Sequence, residues 1–373
     1  MRALTKTTID AIKNDQPDKM DVIDGVDEKG NNALYYAIKN KAPAALNFLL
    51  EQGLSPTFLY ENKNTPLHLA AQNGFFDGVK HLINQSVYVN IFNDKFQTPL
   101  MLAALKGSFE SVHALLNAGS DQTATDEDGN NVLYYAIQSK NPKVFDELLR
   151  RGAPVDTLNT QGETLLHAVA RFGTGTMLKM LLDRGISPYI ENLYAQSPLH
   201  LVAKRGHDRL AALLLEYGLP PSLVDRFNHS PIDYAAHFGS LSTLFERAEN
   251  DAEVTRSMQA YPLHRALREK RFDEAEALIR MEKGIESRDI YGNLPIFYAL
   301  IHYDPLIVKR LLTLSDNIVD IDAYGHSVYF YAALFNKPLI FKTKPIKKEA
   351  LNRRTLAIIE ASSLNGNIWP EEK

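Results

Sequence analysis

Four histidines, His68, His167, His200 and His264, each stand three residues after a threonine, serine or tyrosine. Imidazoles are the side chains most used for acid–base work and for binding zinc. His68, His167 and His200 fall on one 33-residue step and His264 follows 64 residues later, so the chain sets them at least one repeat layer apart. That is roughly 10 Å by typical helix packing distances, too far to share one zinc. Asp126-Glu127-Asp128-Gly129-Asn130 has the flavour of a calcium loop but lacks its alternating ligands and closing glutamate. Gly173-Thr174-Gly175 falls between two expected helices rather than after a strand, unlike a phosphate loop. No HExxH, GxSxG or P-loop pattern occurs. The chain has no cysteine, which removes thiolate metal sites, disulfides and cysteine nucleophiles. The expectation is a protein without catalytic residues, metal or cofactor. The competing class is an enzyme, or enzyme modulator, with its site in 246–260 or 335–373.

The elements that would position these residues are repeats. Thr65-Pro66-Leu67-His68, Thr98-Pro99-Leu100-Met101, Thr164-Leu165-Leu166-His167, Ser197-Pro198-Leu199-His200 and Ser230-Pro231-Ile232-Asp233 all begin on one 33-residue period. A fixed period of that length marks a stacked array in which each unit leans on its neighbours. Thr98 can cap a helix whose first residue is Pro99, with Leu100, Ala103 and Ala104 at helical spacing and Gly107 closing it. A second helix, 109–117, offers Val112, Leu115 and Leu116 on one side. Two such helices cannot bury their apolar faces alone, so stacking must supply the core.

In these residues the chain resembles the ankyrin repeat family. The family pattern also shows in Asp27…Gly30…Asn32-Ala33-Leu34-Tyr35, Asp126…Gly129…Asn131-Val132-Leu133-Tyr134, Tyr261-Pro262-Leu263-His264, Asp289…Gly292…Leu294-Pro295 and Asp322…Gly325…Ser327-Val328. The resemblance implies an all-α ankyrin-repeat solenoid of about ten helix-turn-helix units with divergent terminal caps. The expected organisation is a helical cap over 1–26 and repeats 1–7 over 27–248. An irregular joint with repeats 8–10 follows over 249–336, then a cap helix and tail over 337–373. The cap's apolar residues are Ile9, Ile12, Met20, Val22 and Ile23, and a terminal helix is expected over 347–364. Pro43, Pro142, Pro305 and Pro338 fall where second helices should begin. Residues 27–56 and 126–155 agree at 15 of 30 positions, a duplication of a three-unit block. The recurring histidine is expected, by the resemblance, to bond the cap hydroxyl and a neighbouring backbone group.

The resemblance also implies where a partner sits: on turn tips and the open side of each first helix. Those positions are one to four residues before the cap and seven and eight after it. In the first four units they are largely polar, as at Glu28, Lys29, Lys39 and Asn40, or Glu127, Asp128, Gln138 and Ser139. From the fifth unit to the eighth they become Arg171, Phe172, Tyr194, Lys204, Arg205, Arg226, Phe227, His237, Phe238, Arg268 and Lys270. Aromatics interleaved with arginine are enriched at interface hot spots. The expected partner is a protein, bound through an acidic or phosphorylated segment with apolar side chains.

A net charge of −4 argues against a general nucleic-acid binder, and no apolar run is long enough for membrane insertion. A monomer in the cytosol is expected. Asn90 holds the position that the family presents for hydroxylation, and Lys342, Lys344, Lys347, Lys348, Arg353 and Arg354 form a basic stretch. The divergent units, and Glu371 and Glu372 near the end, are similar to ankyrin-repeat effectors that intracellular bacteria deliver to the host cytosol.

Overall fold

The computed structural model describes residues 3–217, 219, 221, 224–227, 229–238, 261–268, 270–288, 294–302, 304–315, 327–334, 337–343, 351, 355, 356 and 359. Among these the chain is helical, with isolated β-bridges such as those from Val26 to Ala3 and to Asn32. Helices of six to ten residues alternate with tight turns. None of the described helices is long and apolar enough to cross a membrane.

The third pair shows how the sequence makes each unit. Thr98 is extended (φ −94°) and its hydroxyl accepts from the Met101 N–H, while Pro99 opens the helix Pro99–Lys106. Gly107 ends it at φ 73°, where its N–H returns to the Ala104 carbonyl. Leu100, Ala103 and Ala104 are fully buried, as are Val112 and Leu115 of Phe109–Asn117; Leu116 is half-buried. A leucine so buried contributes roughly 1.5–3 kcal/mol, more than either short helix could gain alone. First helices pack on first helices, as Pro66–Asn73 does on Pro99–Lys106 and Pro99–Lys106 on Val132–Ser139. Second helices pack likewise, Phe76–Asn84 on Phe109–Asn117. Pairs of alanines at 70–71 and 103–104 let the first helices approach closely.

Pro43, Pro142, Pro305 and Pro338 each begin a second helix, of bounds Pro43–Glu51, Pro142–Arg150, Pro305–Leu314 and Pro338–Thr343. Asn141 and Asp304 cap two of these from the preceding residue. Ala42 cannot, and Asp15 does so from the N-terminal segment, accepting from the Ala45 N–H (2.8 Å) and the Ala44 N–H (3.3 Å). That segment carries the helix Lys6–Lys13, which buries Ile12; Ile9, Met20, Val22 and Ile23 are half-buried.

Contacts divide the chain into two compact units, Met1–Val155 with Phe172–Met177, and Asp156–Arg171 with Leu178–Lys373. In the second, Pro198–Arg205 packs on Pro231–Phe238 and Pro262–Arg268 on Pro295–His302. The joint expected after residue 245 lies outside the described residues. So does the helix expected over 347–364, except at 351, 355, 356 and 359; Leu351, Thr355 and Ile359 are buried at a step of four.

Candidate protein-binding surface

The turn between successive pairs is built by one Asp or Asn. Asp27 Oδ1 accepts from the Lys29 and Asn31 N–H groups, both at 2.8 Å. Asn93, Asp126, Asn159, Asn192 and Asp225 repeat the arrangement at their own tips. Short side chains of this kind bond the backbone two residues on, which fixes a turn without a strand partner. Neighbouring tips are then tied by backbone bonds, Glu127 N–H to the Lys95 carbonyl (3.2 Å) and Arg226 N–H to the Tyr194 carbonyl (2.9 Å).

At three tips, 99 residues apart, a tyrosine nine residues on donates to the same carboxylate: Tyr36 to Asp27, Tyr135 to Asp126 and Tyr234 to Asp225. Gln97 and Gln196 of the preceding tips donate to the Tyr135 and Tyr234 oxygens (3.0 and 3.4 Å). The Asp–Tyr step of nine can be read in the sequence and marks a three-unit rhythm in the bonding. Burial pushes the Tyr234 phenol up to about 12, and the Asp225 hydrogen bond adds to it. Burial alone would raise Asp225, but bonds from Gln196, Tyr234 and two backbone N–H groups outweigh it and lower its pKa.

The histidines belong to this scaffold. His68 Nδ1 accepts from the Thr65 N–H (3.2 Å) and faces its hydroxyl (2.9 Å), so Nε2 carries the proton and donates to the Gln97 carbonyl (3.0 Å). His167 repeats this with Thr164 and the Gln196 carbonyl. Burial lowers both imidazoles, His68 to about 4. At position 233 an aspartate takes over, accepting from the Ser230 N–H (2.7 Å) and hydroxyl (2.6 Å). No cluster of three metal-ligating side chains occurs among the described residues.

The residues expected to line the groove fall into distinct settings. Tyr194 and Phe227 are exposed on adjacent tips with their rings stacked, centroids 6.3 Å apart and planes 22° from parallel. Arg226 is exposed between them in sequence, and Lys204 and Arg205 are exposed at the end of Pro198–Arg205, with Lys204 Nζ 6.0 Å from the Tyr234 ring. Arg171 is turned inward: its guanidinium donates twice to Oε1 of buried Glu163 (3.1 and 2.6 Å). Lys270 likewise pairs with Glu191 (3.1 Å) and donates to the Val224 carbonyl (3.2 Å). Phe172 packs edge-on against Tyr134. The side chains of His237, Phe238 and Arg268 lie outside what is described, as do the segment 246–260 and most of 335–373, including the basic stretch after Lys342.

Leu193 and Val224 are also exposed on this surface; Leu193 falls inside the spacing window, four residues before Ser197, and Val224 lies outside it, six residues before Ser230. The tips of the second and third pairs also expose Leu59, Phe92 and Phe96, beside positions that are otherwise largely polar. Leu59 and Phe92 stand six residues before the cap, beyond the four-residue window. Phe96 lies inside that window. Asn90 is bound at both ends of its amide, to the Gly119 carbonyl (3.2 Å) and from the Asp121 N–H (2.8 Å), so it stitches one unit to the next.

A stack of helix pairs with bonded turn tips and repeated cap histidines defines a helical-repeat scaffold. Models of ankyrin repeats match residues 34–126, 67–159 and 100–192, and a further ankyrin model matches 181–235. Together they span more than half of the chain, which belongs to the ankyrin repeat family. Ankyrin repeats generally mediate protein–protein interaction, and the fold is typically a non-enzymatic scaffold. A human ASB11 ankyrin repeat domain structure superposes with a TM-score of 0.54 at 24% identity, covering 59% of this chain and 99% of that one. No curated protein matches the chain. With 542 solved chains matching, likeness establishes the fold and singles out no partner.

Proposed function

We propose that the chain is a protein-interaction scaffold that holds an extended acidic or phosphorylated segment against the surface formed by Tyr194, Phe227, Arg226, Lys204 and Arg205. One observation carries the reading: two exposed rings stack across adjacent tips, beside a guanidinium whose partner tip carbonyl fixes its backbone. Rings give contact area at low entropic cost, and the cations select an anionic partner. Arg171 and Lys270 support the surface from below by neutralising Glu163 and Glu191.

The triple variant Tyr194→Ser, Arg226→Ser, Phe227→Ser changes only exposed side chains and is expected to melt like the wild type. Its capture of proteins from a cell lysate should fall sharply, and added polyanionic peptide should compete with the wild type. Unaltered capture would place binding elsewhere. Action on a host protein in the cytosol, after delivery by a bacterium, belongs to the same proposal by resemblance; a translocation reporter fused to the chain tests it directly.

A further inference from the structure

Exposed apolar side chains also gather at the tips of the second and third helix pairs. Leu59, Phe92 and Phe96 are 55%, 46% and 58% exposed, and Tyr88, on the approach to the third tip, is 70% exposed. The Phe92 and Phe96 rings lie 6.3 Å apart, tilted by 55°. Leu59 holds the place of Phe92 one unit earlier. The two tips are joined by the Asp94 N–H to the Asn62 carbonyl (3.0 Å) and by Lys63 to Asp94 (2.7 Å).

Phe96 has φ 55°, in the left-handed region that Gly30, Gly129 and Gly162 occupy at the same place in their tips, as do Lys63 and Ala195, neither of which is aromatic. A bulky residue there is strained, and the ring, 58% exposed, regains little by burial. Asn93 imposes the conformation by accepting from the Lys95 and Gln97 N–H groups, both at 3.0 Å. Glycine would suit the turn better. A strained residue that presents an open aromatic ring serves a contact outside the chain.

Charge indicates what makes that contact. Lys63 and Asp94 neutralise one another. The adjoining tip, tied on by the Glu127 N–H to the Lys95 carbonyl, exposes Glu127 and Asp128, and the preceding tip exposes Glu61. None of these three carboxylates is in an ion pair among the described residues, and the cations of the three tips are Lys63, held by Asp94, and Lys95.

We propose that the tips of the second to fourth pairs bind an extended protein segment in which an aromatic or aliphatic anchor is flanked by arginine or lysine. The anchor packs on Phe92 and Phe96, a guanidinium can lie over an open ring, and the cations meet Glu127 and Asp128. This is a surface of opposite charge preference to the Tyr194–Phe227 surface and does not depend on it.

The test pans a phage-displayed random peptide library on the full chain and, in parallel, on Phe92→Ala/Phe96→Gly. Peptides with an apolar anchor beside Arg or Lys should be enriched on the wild type. By fluorescence anisotropy they should bind the double variant about thirtyfold more weakly, the size of a hot-spot loss. Glu127→Lys/Asp128→Lys should weaken the same peptides about tenfold, and Phe96→Gly alone should melt no lower than the wild type. Undiminished binding to the double variant overturns the proposal. So do acidic consensus peptides, the absence of any peptide that distinguishes the two chains, or a Phe96→Gly chain that melts well below the wild type, which would make the ring part of the fold.

Discussion

Removing the His68 imidazole leaves the Thr65 N–H without its partner in a buried setting and takes one of two donors from the Gln97 carbonyl, which keeps the Asn93 N–H (3.1 Å). His68→Ala should therefore cost roughly 1–3 kcal/mol from unmet polar groups alone, before any cavity is counted, and urea unfolding reads it. The same imidazole makes stability depend on pH. Its folded pKa is lowered to about 4 from 6.5, so as pH falls the unfolded chain takes up the proton first. The contribution is complete above about 6.5 and drains away towards pH 4. His68→Gln should lose less stability than the wild type across that window, and identical pH profiles for the two would contradict the assignment. The threonine-to-histidine step was visible in the residues, and so was its distance from any zinc geometry. The resemblance implied bonds to the cap hydroxyl and to a neighbouring backbone group, and the fold identifies that group as the Gln97 carbonyl at 3.0 Å.

At the level of the helix pair, ends were far more legible than contacts. Proline at the first helical position, threonine or serine before it and glycine after it act through their own backbone, so they mark boundaries wherever they occur. The tips are different, because one carboxylate gathers donors from several places. Asp126 accepts from two backbone N–H groups, from Asn130 and from Tyr135, nine residues on. Asp126→Ala should cost roughly 1–3 kcal/mol through the stranded donors, whereas Asp128→Ala, whose side chain is exposed, should change melting very little. Equal losses from the two would show that the tip is not held by its first residue. Glu147 makes a parallel case between second helices. It accepts from His113 of Phe109–Asn117 (3.1 Å) and from Arg151 (3.1 Å), pairs with Arg150, and is buried. Burial would raise its pKa, but those partners outweigh it and lower it.

Within each compact unit, stability is a sum of neighbour terms, since first helices touch first helices and second helices touch second helices of adjacent pairs, as over 66–150. Leu100→Ala, at a fully buried site, should cost about 2–5 kcal/mol. In hydrogen exchange its effect should be strongest in 66–84 and 132–150 and weak in 262–314; uniform acceleration would mean one cooperative globule. The 33-residue period dictated the helical stack and its caps, because spacing and backbone chemistry act along the chain and need no distant partner. Tertiary structure decided which of the charged and aromatic residues are available to others. It turned Arg171 and Lys270 onto buried carboxylates, left Tyr194 and Phe227 stacked in the open, and put Phe96 on a strained tip. Exposure and pairing are properties of what lies across a fold, and the linear order of residues does not carry them.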